Sequence, residues 1–409
     1  MKFVDLKAQY DEYRDEIDQA IQGVIDTTSF INGSEVKSLE QDLAAYCGAK
    51  HAIACSSGTD ALLIALVALG IGEGDEVILP AYTYSATANV ILHVGAKPVF
   101  VDITDDFVIS VEHIAKAITQ KTKVIIPVDI GGYPADYDEI FACINDPAYN
   151  QMFVAQNEVQ DALGRILILS DSAHSLGAKY KQQKAGSIAD ISVFSFHAVK
   201  NLTTGEGGAI AFNLPEPFNN ESIYNYLKII ALHGQTKDSF TKMLNNGWEY
   251  DILYPGYKAN MPDILAAIGL VELRRYDSET LPKRKSIFNY YSEQLKQYEW
   301  AIIPNYENQN KRSSYHLYML RMGDTDLEKR DSIIRKMYNK GVAVNIHYKP
   351  LPMMSYYKKL GYDMAHYPNT YKHYKNEISL PVYYDLTFQE MSTVINTLAN
   401  IYKNHDKNI

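Results

Sequence analysis

Six short apolar runs between residues 51 and 196 constrain what this chain can fold into. They read HAIAC (51–55), EVILPAY (76–82), KPVFVDI (97–103), KVIIPVDI (123–130), RILILSD (165–171) and ISVFSF (191–196). Helix-patterned segments such as GTDALLIALVALG and VEHIAKAIT lie between them. Runs this short and this uniformly apolar predict strands buried on both faces. Strands alternating with helices predict an α/β architecture, a mainly parallel sheet with helices on either side. In such open sheets a ligand sits beyond the carboxyl ends of the strands.

The flanking segments fit a larger molecule around that sheet. Residues 6–28 carry helical apolar spacing, and GSEVKSLEQDLAAYCG predicts a second helix with Ser34 as its cap and Gly48 as its stop. The stretch 135–165 reads as helical padding between two strands. From GYKANMPDILAAIGLVEL onward the strand–helix alternation gives way to a long helical region. After about residue 300, RSSYHLYMLRM, VAVNIHY and LEKRDSIIRKMYNKG predict a smaller α+β part.

Composition narrows the class. The 409 residues are 46% hydrophobic and 22% charged, the balance of a globular chain long enough for more than one domain. A net charge of −10 argues against a dedicated nucleic-acid binder but leaves room for a phosphate held by a few amides. Cys47, Cys55 and Cys143 have no paired metal-ligand spacing and are too few for a disulfide framework, which fits a reducing cytoplasm. No metal is expected. The first residues are charged and amphipathic without an apolar signal core, and no apolar stretch approaches the roughly 20 residues a membrane span needs. The expectation is a soluble cytoplasmic protein.

Three strand ends carry candidate chemistry. In ACSSGTDALLIAL a strand runs through Ser-Ser-Gly-Thr directly into a helix, bringing free amides and the positive end of a helix dipole together. Gly58 permits close approach and Thr59 adds a donor, although the same residues would also serve as an ordinary helix cap. Asp171 ends the next matching strand, where a carboxylate can hold a ligand cation or cap a turn, and His174 follows three residues on. Lys200 follows ISVFSF and precedes Gly205, Gly207 and Gly208. An isolated lysine is usually a solvated surface charge. Partial burial would instead lower its pKa and free the amine to form a Schiff base. Ser195 offers a further phosphate donor, and Tyr84 in PAYTYSATANVI an aromatic face.

One cofactor needs all of these groups. Pyridoxal phosphate (PLP) requires a phosphate cradle, a lysine for its aldehyde, a carboxylate for its pyridine nitrogen and an aromatic cover. The chain presents them in the order phosphate loop, aromatic, Asp171, Lys200, with the last two 29 residues apart.

The chain resembles the DegT/DnrJ/StrS family of PLP-dependent nucleotide-sugar aminotransferases over nearly its whole length. The resemblance is carried by FINGSEVKSLEQDLAAYCGAKHAIACSSGTDALLIAL, GDEVILPAYTYSATANVILHVGAKPVFVDI, SDSAHSLGAKY, FSFHAVKNLTTGEGGAI, GYKANMPDILAAIGLVEL and VNIHYKPL. It implies a fold-type I transferase: a large PLP domain over 1–275 with a mainly parallel seven-stranded sheet, and a small C-terminal α+β domain over 276–409. By that similarity Lys200 would bond the cofactor and Asp171 would face its pyridine nitrogen. His174 would sit near the phenolic oxygen and Tyr84 would stack on the ring, while Gly58, Thr59 and Ser195 would hold the phosphate. Asn260 looks like the asparagine such enzymes lend to the neighbouring subunit, so a homodimer with shared sites is implied. Extra length near 140–165 departs from the family pattern without touching a matched position.

Within the family, SFHxxK followed by threonines and EGG resembles enzymes acting at C4 of 4-ketohexoses, so His197, Thr203, Thr204 and Glu206 favour that position. Equally, His197 and the threonines could simply pack the turn around Lys200. The substrate implied is a UDP-linked 4-keto-6-deoxy-N-acetylhexosamine, aminated at the expense of L-glutamate on the route to a surface polysaccharide such as a capsule or O-antigen. His316, His347 and Lys349 are candidates for the sugar-nucleotide pocket. Alternatives are a C3 aminotransferase of a dTDP-sugar, a ketocyclitol aminotransferase, and a non-catalytic regulatory protein on the same fold. Related sugar dehydratases replace the lysine with histidine, and Lys200 argues against them.

Overall fold

The computed structural model of the protein describes residues 1–237 and 249–405. Strands β1 (His51–Cys55), β2 (Glu76–Pro80), β3 (Lys97–Val101), β4 (Thr122–Ile125), β5 (Leu167–Asp171), β8 (Ile191–Ser195) and β9 (Gly208–Phe212) make one sheet, in the order β1-β9-β8-β5-β4-β2-β3. β9 runs antiparallel to both its neighbours, and the remaining pairs are parallel. Every residue of β2, β4, β5 and β9 is buried, as strands covered on both faces must be. The six apolar runs supply six of these strands, and the glycine-led GGAIAF supplies the seventh.

Helices form where the apolar spacing changes to a helical period. α1 (Leu6–Thr27) buries Tyr13, Ile17 and Val24, and α2 (Ser34–Cys47) buries Val36, Leu39 and Leu43. The start of α2 differs from expectation. Ser34 is the first helical residue and Gly33 the cap, with no side-chain cap bond. Asp263, 230 residues away, accepts instead from the amides of Gly33 (2.9 Å) and Val36 (3.2 Å), a long-range substitute for a local cap. Gly48 ends the helix in the left-handed region as expected. Three short helices, Tyr137–Asn145, Pro147–Asn150 and Glu158–Leu163, fill the stretch 135–165.

Beyond residue 260 the chain passes from helix Asp263–Arg275 through a π-helical turn, Tyr276–Thr280, into helix Leu281–Leu295. β10 (Ala301–Ile302), β12 (Tyr318–Met322) and β13 (Glu377–Leu380) form a small antiparallel sheet. β11 (Lys311–Arg312) pairs with β6 (Lys179–Tyr180), next to β7 (Gln183–Lys184). Much of RSSYHLYMLRM stays irregular, because the amides of Ser314, His316 and Leu317 bond to the carbonyls of Gly131 and Gly132 beside the large sheet. VAVNIHY likewise adds no strand: it forms an isolated backbone bridge to β13 between Asn345 and Ser379, and the His347 amide turns to the Glu377 carboxylate. A single buried apolar cluster runs from Val36 and Leu39 of α2 to Leu398 and Tyr402 near the C-terminus, so the two parts of the chain share packing. No described helix is long and apolar enough to cross a membrane.

Candidate active site

A cavity of about 530 Å³ opens at the carboxyl ends of the large sheet. Its wall takes residues from five strand exits: Ser57, Gly58 and Thr59 after β1; Thr83 and Tyr84 after β2; Val128 after β4; Asp171 and His174 at β5; Ser195, His197 and Lys200 at β8. Glu206, His347 and Tyr348 also line it.

The β1 exit forms a cradle. Ser57 caps α3 (Gly58–Ala68), its Oγ accepting from the Asp60 amide at 3.0 Å. The Gly58 and Thr59 amides, first in the helix, have no partner among the described residues. Cys55 and Ser195 both pair with Gly208, which aligns the cradle with β8. The backbones approach so closely that a Cβ on Gly208 would lie 2.5 Å from Gly58 N, and one on Gly58 2.9 Å from Ser195 Cβ. Only glycine fits at either position. Two free amides at the N-terminus of an 11-residue helix, next to a serine hydroxyl, suit a phosphate.

Asp171 is buried at the end of β5. Its Oδ2 accepts from Thr87 Oγ1 at 2.7 Å and its Oδ1 from the Ala173 amide at 3.2 Å. Burial raises its pKa, opposed by these donors and by the charge of Lys200. The Lys200 amine has no hydrogen-bond partner among the described residues, and burial lowers its pKa to about 8 against the pull of Asp171. A weakly held, half-desolvated amine is a nucleophile near neutral pH.

His174 is held as a neutral donor. The Gly131 amide donates to Nδ1 at 3.2 Å, so the ring proton sits on Nε2, 3.2 Å from the Tyr348 hydroxyl. Burial, then the Lys200 charge, push the ring's pKa well below its ordinary value. Tyr84 is 59% exposed at the start of α4 (Ser85–His93), with its ring 5.6 Å from that of Tyr348 over the cavity. His197 and Glu206 stand 3.8 Å apart, both exposed on the wall.

Three expected residues lie off the wall. His316 is buried behind His174, ring to ring at 4.3 Å, with Nδ1 2.7 Å from Asn201 Oδ1. Lys349 is exposed and is not part of this lining. Asn260 bridges to Cys55 beside the cradle, and its Oδ1 accepts from Lys258 Nζ at 2.6 Å. Conversely, the site also draws on Ser57, Thr83, Thr87 and Tyr348, none of which the motifs single out. Thr83 and Thr87 lie one helical turn apart with hydroxyls 2.9 Å apart, a spacing visible in TYSAT. Tyr348 adjoins His347, but nothing local says that it faces a ring contributed by another strand.

These residues fit pyridoxal phosphate: an amide cradle that a Cβ would fill, a buried carboxylate, a neutral imidazole donor and an unpartnered amine around one cavity. The sequence matches the model of the DegT/DnrJ/EryC1/StrS aminotransferase family over residues 11–150 and 151–399. It is 35% identical over 393 residues, 95% of either chain, to the spore coat polysaccharide biosynthesis protein SpsC of Bacillus subtilis. Among solved structures, Spr1654 of Streptococcus pneumoniae, described as a sugar aminotransferase, superposes in its PMP-form with a TM-score of 0.91 at 41% identity, covering 95% of this chain and 97% of that one. Its PLP-form gives 0.90. Helicobacter pylori PseC, an aminotransferase involved in the biosynthesis of pseudoaminic acid, gives 0.81 at 26% identity, covering 95% and 96%. The chain thus belongs to the DegT/DnrJ/EryC1/StrS aminotransferase family and is a pyridoxal phosphate-dependent aminotransferase.

Proposed function

We propose that this enzyme transfers the amino group of L-glutamate to C4 of a nucleotide-linked 4-keto-6-deoxy sugar, UDP-2-acetamido-4-keto-2,6-dideoxyhexose, for a surface polysaccharide. The observation that carries the reading is the His197–Glu206 pair on the wall of the cavity that also holds Lys200. A donor and an acceptor side by side suit a sugar's hydroxyl and keto oxygens. The names of SpsC and PseC point to amino-sugar and polysaccharide chemistry in relatives.

When bound, pyridoxal phosphate supplies an aldehyde for amine exchange and a ring that takes up the electron pair left by Cα–H cleavage. In this reading the Lys200 amine would hold the cofactor through its aldehyde and, when free, would take up the donor's Cα proton as general base and give it back as general acid. Asp171 would keep a proton on the pyridine nitrogen, the His174 Nε2–H would donate to the phenolic oxygen, and Tyr84 would cover the ring. The Gly58 and Thr59 amides and the Ser195 hydroxyl would hold the phosphate. His347 belongs to the substrate side of the cavity.

We assign the division into a large domain, 1–275, and a small one, 276–409, the homodimer, and a cytoplasmic location to the same reading. Asn260 reaches the partner's site in it. Tyr250, Ile252, Leu253, Tyr254 and Tyr257, all exposed, supply an apolar face beside Asn260. Incubation with glutamate and a panel of UDP- and dTDP-ketosugars, with products located by mass and NMR, tests the substrate. A 4-amino UDP-sugar is expected; amination at C3, or of a ketocyclitol, overturns it.

A further inference from the structure

We propose that His347, Ser379 and Glu377 form a proton relay leading from the cofactor cavity into the protein, through which His347 exchanges a proton with Lys200. The proposal rests on the acid–base role given to Lys200 above.

The geometry comes from β13. Glu377 and Ser379 lie two residues apart, on the same face of the strand, and both are fully buried. Ser379 Oγ is 2.6 Å from Glu377 Oε1 and 2.8 Å from His347 Nδ1. The His347 amide donates to Glu377 Oε2 at 3.1 Å, and Phe3 stacks on the imidazole with ring centres 5.5 Å apart. The ring is therefore fixed, with Nδ1 turned inward. His347 lines the cavity, and Nε2 has no partner among the described residues.

Proton counting gives this chain two states. A hydroxyl has one proton. With Glu377 ionised, Ser379 donates to the carboxylate, Nδ1–H donates to Ser379, and Nε2 offers a bare lone pair to the cavity. With Glu377 protonated, the carboxyl donates to Ser379, Ser379 donates to Nδ1, and Nε2 carries the proton. A proton arriving at Nε2 thus releases one from Nδ1 to Ser379 Oγ, whose own proton passes to Glu377 Oε1. The imidazole stays neutral throughout.

That neutrality matters here. Burial, then the Lys200 charge, lower the His347 pKa to about 3, so an imidazolium would be costly. Burial raises the Glu377 carboxyl to about 8, with Ser379, the His347 amide and the Arg330 charge opposing it. Arg330 meets Glu377 at its backbone carbonyl, at 3.1 Å, and its other bonds go to the Tyr374 carbonyl and the Asp331 carboxylate; Tyr82 and Tyr348 also feel the Glu377 carboxylate. Burial lowers the Lys200 amine as it raises the Glu377 carboxyl, so desolvation brings the two ends of the chain toward each other.

The test is nitrogen NMR of cofactor-free protein labelled with 15N-histidine, His347 being identified by loss of its signals in His347→Gln. The proton should sit on Nε2 below about pH 8 and on Nδ1 above it. Ser379→Ala and Glu377→Gln should each abolish the switch, and Ser379→Thr should keep it. In the loaded enzyme Ser379→Ala should lower kcat about 10-fold or more, with the KM for glutamate little changed, and Ser379→Thr should restore it. If Ser379→Ala does not fold, Glu377→Gln serves for both comparisons. One unchanging tautomer from pH 6 to 10, or a switch that survives both substitutions, overturns the relay. Lys200→Ala separates the two readings: it should abolish turnover and leave the tautomer switch in place.

Discussion

Lys200 takes its reactivity from where its amine sits, since burial alone brings it to about 8 and Asp171 pulls the other way. The neutral amine is the reactive form, and its fraction grows as pH rises toward that value. Capture of added pyridoxal phosphate by the cofactor-free enzyme should accelerate about tenfold per pH unit below 8 and level off above it, as followed by stopped-flow absorbance. A flat profile from pH 6 to 8 would contradict the buried amine. Lys200→Ala should abolish turnover by the several orders of magnitude expected for losing both nucleophile and proton shuttle, while cofactor still binds noncovalently in equilibrium dialysis. Residual transamination near the parent rate would remove Lys200 from its assigned role. Burial shifts Asp171 and His174 as it does Lys200, but hydrogen-bond partners also hold them: Thr87 and Ala173 donate to the carboxylate, and the Gly131 amide fixes the imidazole tautomer.

Among the elements, the junction of β9 with the start of α3 has the least slack. Gly208→Ala would press a Cβ against the Gly58 amide nitrogen, and backbone cannot swing aside as a long side chain can. The substitution should cost about 1–3 kcal/mol of stability and weaken cofactor retention, read by thermal denaturation with and without pyridoxal phosphate. A variant with unchanged melting and unchanged retention would show that the cradle can yield. The packing of α1 on helix Asp263–Arg275 encloses Glu272, whose carboxylate oxygens accept from Gln9 Nε2 at 2.9 and 2.7 Å. Burial raises this carboxyl to about 8. Between its free value of 4.5 and 8 the folded chain keeps a proton that the unfolded chain has lost, so stability falls as pH rises through that window. Glu272→Gln should flatten the decline, giving a smaller drop in Tm from pH 5.5 to 8.5. An identical drop in parent and variant would assign the decline to other groups.

At the scale of the whole molecule, the exposed side chains of Ile252 and Leu253, 53% and 49% accessible, belong to the face given to a second copy of the chain. Replacing both with aspartate should shift the protein from dimer to monomer in sedimentation and reduce cofactor retention, because two buried charges would face an apolar partner. A dimer that persists at micromolar concentration would move the interface elsewhere.

Much of this was legible from order along the chain. The six apolar runs needed no tertiary information, because a strand covered on both faces must be apolar at every position. GGAIAF was harder to read: its glycines suit a turn, and only pairing with β1 and β8 makes it a strand. The cap of α2 shows the same limit, since Asp263 is remote in sequence and acts only once helix Asp263–Arg275 is in place. The place of His316 behind His174 has a similar cause, since it follows from the bonds of the Ser314, His316 and Leu317 amides to Gly131 and Gly132.

By itself, then, the sequence determined six of the seven strands of the large sheet, their ends and the types of group delivered there, because hydrophobic periodicity and strand exits are local properties. Tertiary structure alone decided the protonation and orientation of those groups. The depressed amine of Lys200, the Nε2–H tautomer of His174 and the His347–Ser379–Glu377 chain depend on desolvation and on donors from segments up to 43 residues apart in the one case and 32 in the other. Those are properties of a packed interior, and no order of residues states them in advance.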